Sequence, residues 1–428
     1  MTVADIEFIP HKYTEDDSFR CVGDPEPYVR RQDVIFYSQG SKWNIKVTFN
    51  SVGLKEFHEN GSNGVCRFLS DPIKNKLKRR QEFQSFIRLI NFEKLTLLDN
   101  TVTEIELMLK PAGTHASDVF SELLALDRID SVARRNRFLD IAPRLKLTVR
   151  EDPLRVLYPP YSHTYVHDPS WPTKWLSAIQ AEEHIAGSAF RVVLAGEKIP
   201  YVFKKIDRPF YQPEDTAIIQ QELQNLRLFR GAPNIVQLSG IVISPDPYQT
   251  TTGYYESVVV RGFLMEHHPG GTLEQWLGKA DLAKFQWKRW PLQIGYGLLY
   301  LHQKSITHMD LKPSNVVIDI DSNALLVDVS GVGGVTYEWT APELRDKNDL
   351  NVSLEERVLN DIWAYGMLLS AIAQSSNRTE DVALLHEVAQ DTTKECPQMR
   401  IELTKAILKL EGFEFGDISC AKASSHYT

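Results

Sequence analysis

The chain has 428 residues, of which 43% are hydrophobic and 24% charged, and a formal net charge of −8. That length leaves room for two or three domains of ordinary globular composition, and the acidic excess argues against a general nucleic-acid binder. Four cysteines, at positions 21, 66, 396 and 420, show neither metal-ligand nor disulfide-framework spacing, which suits a reducing intracellular setting, cytoplasmic or nuclear. The opening run MTVADIEFIPHK lacks a basic flank followed by an apolar core, so no secretory signal is expected. No apolar stretch reaches membrane-spanning length, so membrane insertion is not expected either.

The first stretch reads as polar and turn-rich until Asp33, after which regular patterns begin. Trp43, Ile45, Val47 and Phe49 alternate with polar residues, as do Ile105, Leu107 and Leu109, and again Leu145, Leu147 and Val149; this is the period of half-buried strands. Phe83, Phe86, Ile87 and Ile90 keep helical spacing, and so do Val119, Phe120, Leu123 and Leu124. Residues 1–170 are therefore expected to form a small α+β domain, and no constellation with obvious chemistry stands out in it. Lys74, Lys76, Lys78, Arg79 and Arg80 form a basic cluster, read either as a solvated face at the start of a helix or as a localisation signal or acidic-partner patch. His58, His115 and His163 are scattered without ligand spacing. From Pro153 through Pro159-Pro160 to Trp171-Pro172 the chain is rich in proline, which locks φ and favours an extended linker, so a boundary is expected here and a second domain over 175–412.

Within that second part, Val316 to Ile320 and Ala324 to Val329 are β-branched runs joined by Asp321-Ser322-Asn323, a hairpin signal. A hairpin brings its outer ends side by side, so Asn315 is expected to face Asp328, with Asp310 and Lys312 on the loop just before. One carboxylate with neutral oxygens, completed by phosphate, is what magnesium prefers, and an Asp with an Asn meets that demand. The stretch His308-Met309-Asp310-Leu311-Lys312-Pro313-Ser314-Asn315, followed by Asp328-Val329-Ser330 and Ala341-Pro342-Glu343, resembles in order the catalytic loop, Asp-Phe-Gly and Ala-Pro-Glu motifs of eukaryotic-type protein kinases.

The resemblance implies a bilobal α+β protein-kinase fold behind the smaller amino-terminal domain. Tyr201 to Ile206 resembles the strand that carries the ATP-anchoring lysine, here Lys204, with Glu222 as its partner on the following helix; Lys205 and Glu214 are the alternatives if the register differs. Ile185 to Val193 lies where the family has a glycine-rich loop, but Ala186, Ser188 and Arg191 stand in place of its glycines, which serve to let backbone N–H groups approach phosphate. Residues around Pro245 to Tyr254 read as a loop inserted between strands. Phe263 to His267 resembles the hinge. By the same resemblance Met265 guards the adenine pocket, the backbone from Glu266 through His267 to His268 pairs with the base, and Val193, Val202 and Val317 line the pocket, Val202 narrowing it where the family usually has Ala.

In the large lobe the resemblance assigns Asp310 to accept the proton of the attacking hydroxyl, Lys312 to neutralise the transferring phosphoryl group, and Asn315 and Asp328 to hold magnesium. Gly270-Gly271-Thr272-Leu273 starts the first helix, and Leu292 to His302 is an apolar helix feeding the catalytic loop. Asp361 is expected to bond backbone N–H groups near His308, and Arg400 to pair with Glu343. Lys312 together with Thr336, which resembles a threonine that bridges the catalytic Asp and Lys, implies a serine/threonine rather than a tyrosine kinase. Met309 replaces the arginine that in many kinases clasps a phosphorylated activation loop, and the segment from Asp328 to Thr336 is short, so activity is expected without phosphorylation there. Ser330, in place of the usual glycine, is expected to restrict any flip of Asp328. The expected cofactors are ATP and Mg2+ and the expected partner a protein substrate. Two readings compete: a pseudokinase that binds nucleotide or partners on the same fold, and a small-molecule phosphotransferase, which leaves Ala341-Pro342-Glu343 unexplained. Residues 413–428 are expected to be a loose tail.

Overall fold

A computed structural model describes residues 5–16, 27–51, 75–110, 118–125, 132–161, 171–251, 257–278, 287–332, 334, 336–347, 352–376 and 379–411. Lys74, Cys21, Cys66, Cys420, His58, His115, His163, Val335 and the expected tail lie outside the described residues. The chain forms two compact units, one of residues 1–155 with 245–258, the other of 156–244 with 259–428.

The first unit is built on a five-stranded sheet in the order β1 (Asp5–Glu15), β2 (Val29–Ser38), β3 (Ser41–Asn50), β4 (Val102–Leu109), β5 (Leu145–Glu151). Neighbours run antiparallel except β3 and β4, which are parallel. The alternation of Ile45, Val47 and Phe49 with polar residues turns one face of β3 onto a core that also takes Ile105 and Leu107 from β4 and Phe83, Phe86 and Ile87 from helix α1 (Lys76–Ile87). Asn75 caps α1, its side chain accepting from the Leu77 and Lys78 N–H groups. Helix α2 (Val132–Ile141) adds Phe138 and Ile141 to the same core. The stretch expected to be helical around Phe120 is a short 3-10 segment over Asp118–Leu123, and within the opening stretch expected to be turn-rich Asp5–Glu15 form strand β1.

The basic cluster is divided by the fold. Lys76 and Lys78 are exposed, whereas Arg79 is buried and makes a bidentate pair with Glu15 at 2.6 and 2.7 Å, and Arg80 donates to the Pro10 carbonyl at 3.3 Å. The inserted loop expected from Pro245 onward belongs to this unit: Thr250 O accepts from Lys42 N at 2.8 Å, Pro247 O from the Asn44 amide at 3.3 Å, and Thr250 exchanges two bonds with Asn100.

The second unit holds a six-stranded sheet in the order β6 (Thr173–Trp175), β10 (Leu238–Pro245), β11 (Val258–Glu266), β9 (Tyr201–Lys205), β8 (Ala189–Leu194), β7 (Ile179–Ala186), with helix α3 (Pro213–Leu228) beside it. The proline-rich stretch is part of this unit from Val156 on. Pro160 bridges to Val259, β6 runs parallel to β10, and the backbone of Leu157 bonds the Tyr211 and Thr216 hydroxyls at 2.9 and 2.8 Å at the start of α3. Beyond β11 the chain is mostly helical: α4 (Leu273–Leu277), α5 (Trp290–Gln303), α6 (Leu354–Gln374), α7 (Thr379–Thr392) and α8 (Leu403–Glu411), with the hairpin β12 (Val316–Ile318) and β13 (Ala324–Leu326). This is the bilobal α+β arrangement the resemblance implied. Among the described residues no helix is long and apolar enough to cross a membrane.

Candidate active site

The hairpin β12–β13 pairs Val316 with Leu326, and beyond it Val327 N donates to Asn315 O at 3.1 Å, so the strand ends bring Asn315 and Asp328 into adjacent positions. Asp328 itself has φ +59 and Met309 φ +67, left-handed conformations that side chains other than glycine adopt only when their surroundings hold them. For Met309 the holding group is plain. Asp361, fully buried on α6, accepts from His308 N at 2.7 Å and Met309 N at 2.8 Å and meets His302 Nε2 at 2.9 Å.

Asp310, on the loop so fixed, has both carboxylate oxygens engaged. Oδ1 accepts from the Thr336 hydroxyl at 2.7 Å and from its N–H at 3.1 Å; Oδ2 accepts from Lys312 Nζ at 2.6 Å and from Asn315 Nδ2 at 3.0 Å. Lys312 Nζ also donates to the Thr336 hydroxyl at 2.7 Å. Asn315 spends its amide N–H groups on the Asp310 carbonyl and carboxylate, which leaves its Oδ1 as the ligand end.

Strand β9 delivers Lys204. Alternation along β9 buries Phe203 in the sheet core and turns Lys204 the other way, where its ammonium bonds Glu222 of α3 and Asp328 together. Lys205, the alternative in register, pairs instead with Glu182, and Glu214 is exposed in the first turn of α3. Burial pulls the Lys204 ammonium down, but Asp328 and Glu222 outweigh it and hold it above the usual lysine range. Two carboxylates share one cation, and their environments separate them. Burial pushes Glu222, whose Oε1 has no hydrogen-bond partner, up to about 7 against the pull of Lys204. Desolvation opposes ionisation of Asp328 too, yet Lys204 holds it below the usual carboxylate range, and its side chain stays 47% exposed.

Of the expected base-binding residues, Met265, Glu266, Val202 and Val193 lie on the adjacent strands β11, β9 and β8. Met265 is buried and pairs across β11–β9 with Val202, and Glu266 pairs with Tyr201. Val193 lies on β8 and Val317 on β12, both half-buried, while Glu266 is exposed and His267 half-buried just past the strand. Burial lowers both His267 and His268 from the usual histidine range. Where the family has three glycines, β7 and β8 meet in a turn whose one glycine, Gly187, has φ +52. His184 packs edge-on against Phe190 at 4.9 Å, and Lys205 Nζ lies 5.3 Å from the same ring.

The donor set fits a nucleotide with a divalent ion at its phosphate end. Asp328 and Asn315 offer one carboxylate and one amide oxygen, hard ligands in the number magnesium takes when phosphates complete its shell, and Lys204 offers a fixed ammonium beside them.

Two functional candidates escaped the sequence reading. Asn225, on α3, donates Nδ2 to Val329 O at 2.7 Å and Ser330 O at 3.0 Å, and Arg357, on α6, donates to Gly331 O. The signal that could have found Asn225 is its place three residues past Glu222, on the same helix face.

Lower down, Arg400 makes a bidentate pair with Glu343 at 2.6 and 2.8 Å and also donates to the carbonyls of Lys394 and Leu359.

A probable serine/threonine-protein kinase of Dictyostelium discoideum is 25% identical over 175 residues, 37% of this chain and 10% of the relative. A probable LRR receptor-like serine/threonine-protein kinase of Arabidopsis thaliana is 25% identical over 155 residues, 32% of this chain and 27% of the relative. The chain thus spans well under a third of either relative's length. Residues 185–410 match the protein kinase domain, more than half of the chain, and the chain therefore belongs to the protein kinase family.

Proposed function

We propose that the protein is an ATP- and magnesium-dependent serine/threonine kinase that phosphorylates protein hydroxyls without needing a phosphate on its activation segment. The observation that carries the reading is the single ammonium of Lys204 joined to both Glu222 and Asp328, with Asp310, Lys312 and Thr336 hydrogen-bonded to one another across the loop. Phosphoryl transfer asks a protein for positioning and charge stabilisation rather than covalent chemistry.

In this reading Lys204 anchors the α- and β-phosphates, and Met265, Glu266, His267, Val193, Val202 and Val317 receive the base. Asn315 and Asp328 would hold Mg2+, which when bound supplies charge neutralisation at the phosphate oxygens. Asp310 orients the acceptor hydroxyl and takes its proton at a carboxylate oxygen; the Thr336 hydroxyl and Lys312 keep that carboxylate in register. Lys312 then faces the charge that develops on the transferred group. The Lys312–Thr336 bond supports serine or threonine as the acceptor. The setting proposed is intracellular.

The decisive experiment is phosphate incorporation into the protein itself or a generic protein substrate, compared with Asp310→Ala and repeated after phosphatase treatment. Transfer by the wild type alone, unchanged by phosphatase, is expected. Equal incorporation by both chains, or a large loss on phosphatase treatment, counts against the corresponding part of the proposal. A second reading, a pseudokinase scaffold, is favoured by the glycine-poor β7–β8 turn. A melting-temperature titration separates the two, because a ligand that binds only the folded state raises the midpoint with its concentration. No shift with ATP and magnesium would favour the scaffold.

A further inference from the structure

The turn that carries Asp328 is left-handed at both ends, strained at Asp328 and relaxed at Gly331, since glycine takes such a φ without steric cost. Asp328 has φ +59 and Gly331 φ +68, and between them the chain reverses with the carbonyls of Val329, Ser330 and Gly331 in succession. A non-glycine residue held left-handed costs about 1–3 kcal/mol and persists only where neighbours over-determine it. At Gly331 a Cβ would meet Thr307 O at 2.6 Å, so this carbon is backed directly by the chain that leads into the catalytic loop.

Each of the three carbonyls accepts a bond from a side chain on a helix. Asn225 is 1% exposed and donates Nδ2 to Val329 O at 2.7 Å and to Ser330 O at 3.0 Å. Its amide is oriented, since Oδ1 accepts from Gln221 Nε2 at 3.0 Å, which leaves the NH2 end to the turn. Arg357 donates Nη2 to Gly331 O. Asn225 follows Glu222 by one helical turn on α3, and Arg357 precedes Asp361 by one turn on α6. The helix that holds Lys204 through Glu222 thus also holds the Asp328 turn, and the helix that holds the catalytic loop through Asp361 also holds Gly331.

Where phosphorylation orders an activation segment, it does so by adding a charge that arginines can pair with. Here the guanidinium already sits on a backbone carbonyl, and Ser330 Oγ closes the turn on Val332 O at 2.5 Å. We infer that Asn225 and Arg357 are positioning residues that together clamp Val329 to Gly331 and so set the Asp328 carboxylate beside Lys204 with no modification of the segment. The inference deepens the kinase reading above and rests on it for the purpose of the clamp, not for its existence.

Two readouts on the 428-residue chain test it, with Asn225→Leu, Arg357→Met and Arg357→Lys beside wild type. Amide exchange across Asp328 to Val332 is expected to quicken about fivefold in Asn225→Leu and Arg357→Met, as for loss of a bond worth about 1 kcal/mol, and to stay near wild type in Arg357→Lys, which keeps a donor. The magnesium concentration that half-saturates ATP binding, read by melting temperature, is expected to rise about tenfold in the same two variants. Unchanged exchange in both variants overturns the clamp, and so does faster exchange in wild type after phosphatase treatment. If Asn225→Leu does not fold, the Arg357 pair still decides. If wild type binds no nucleotide and transfers no phosphoryl group, the kinase reading falls, while the exchange data still judge the clamp.

Discussion

Removing the Asp361 carboxylate should release the catalytic loop from the helix beneath it. The side chain is fully buried and accepts from two backbone N–H groups, His308 at 2.7 Å and Met309 at 2.8 Å, on opposite oxygens. A hydrogen bond to a charged group contributes roughly 1.5–3 kcal/mol, so Asp361→Ala, which removes the acceptor of both donors, should lose about 3–6 kcal/mol. Against a typical domain stability of about 5–15 kcal/mol that is a large share. Asp361→Asn keeps the shape and one carbonyl oxygen but turns an NH2 toward one of the two donors, so about half the loss is expected. The left-handed Met309 makes the site less tolerant still, since nothing then balances its strain. Urea unfolding followed through the buried Trp287 and Trp290 would rank the three chains wild type, Asn, Ala. Amide exchange at His308 and Met309 should quicken in the same order. An Ala variant within about 1 kcal/mol of wild type, with both amides still protected, would refute the idea that this carboxylate carries the loop.

Glu222, pushed up to about 7 by burial against the pull of Lys204, keeps its proton longer in the folded chain than in the unfolded one. Its contribution to stability is full below the ordinary value of 4.5 and is lost as pH rises through about 7. Melting curves of nucleotide-free protein from about pH 5 to 8 should therefore show Glu222→Gln gaining on wild type as pH rises, and a constant gap would contradict this. Arg400→Ala strands Glu343, whose carboxylate it meets at 2.6 and 2.8 Å from a fully buried position. A loss of about 3–5 kcal/mol is expected in denaturant unfolding, with Arg400→Lys recovering only part because it lacks the fork. Gly262, with φ +148, has the Lys204 carbonyl 2.0 Å from where a Cβ would stand. Gly262→Ala should destabilise by about 3 kcal/mol or more and weaken nucleotide binding by displacing the strand that carries Lys204, both readable in one melting titration.

What the sequence made legible follows from how local each feature is. Asp310, Lys312, Asn315 and Asp328 lie within one short stretch, and the two strands between Asn315 and Asp328 announce their own pairing by alternation and a turn. The partnership of Lys204 with Glu222 was open to an error of register, because it joins a strand to a helix whose offset no local pattern states; sheet alternation settles it by giving Lys205 to Glu182. Asn225 gave only its helical offset from Glu222 and Arg357 no local signal, since one is a mid-helix amide and the other a helical arginine, and both act on carbonyls far away in sequence. Strand β1 was hidden for a different reason. Its alternation at Ile6 and Phe8 breaks at an irregularity before Tyr13, and Pro10 interrupts the run, as an edge strand tolerates. Nothing in Pro245 to Val258 says that it folds with residues more than a hundred positions earlier, because such pairings are decided by tertiary contacts alone.

That last feature bears on the order in which the protein can be made. The first unit takes residues 1–155 and then 245–258, so 103 residues (258 − 155) separate the end of its main body from the end of its last piece. At about 5–20 residues per second a ribosome needs roughly 5–20 s to cover that distance. During that interval Lys42, Asn44 and Asn100 await the partners they find in Pro247 and Thr250, while β6 to β10 have already emerged. The two units therefore cannot mature strictly one after the other on the ribosome: the first is completed only once the sheet of the second is mostly synthesised.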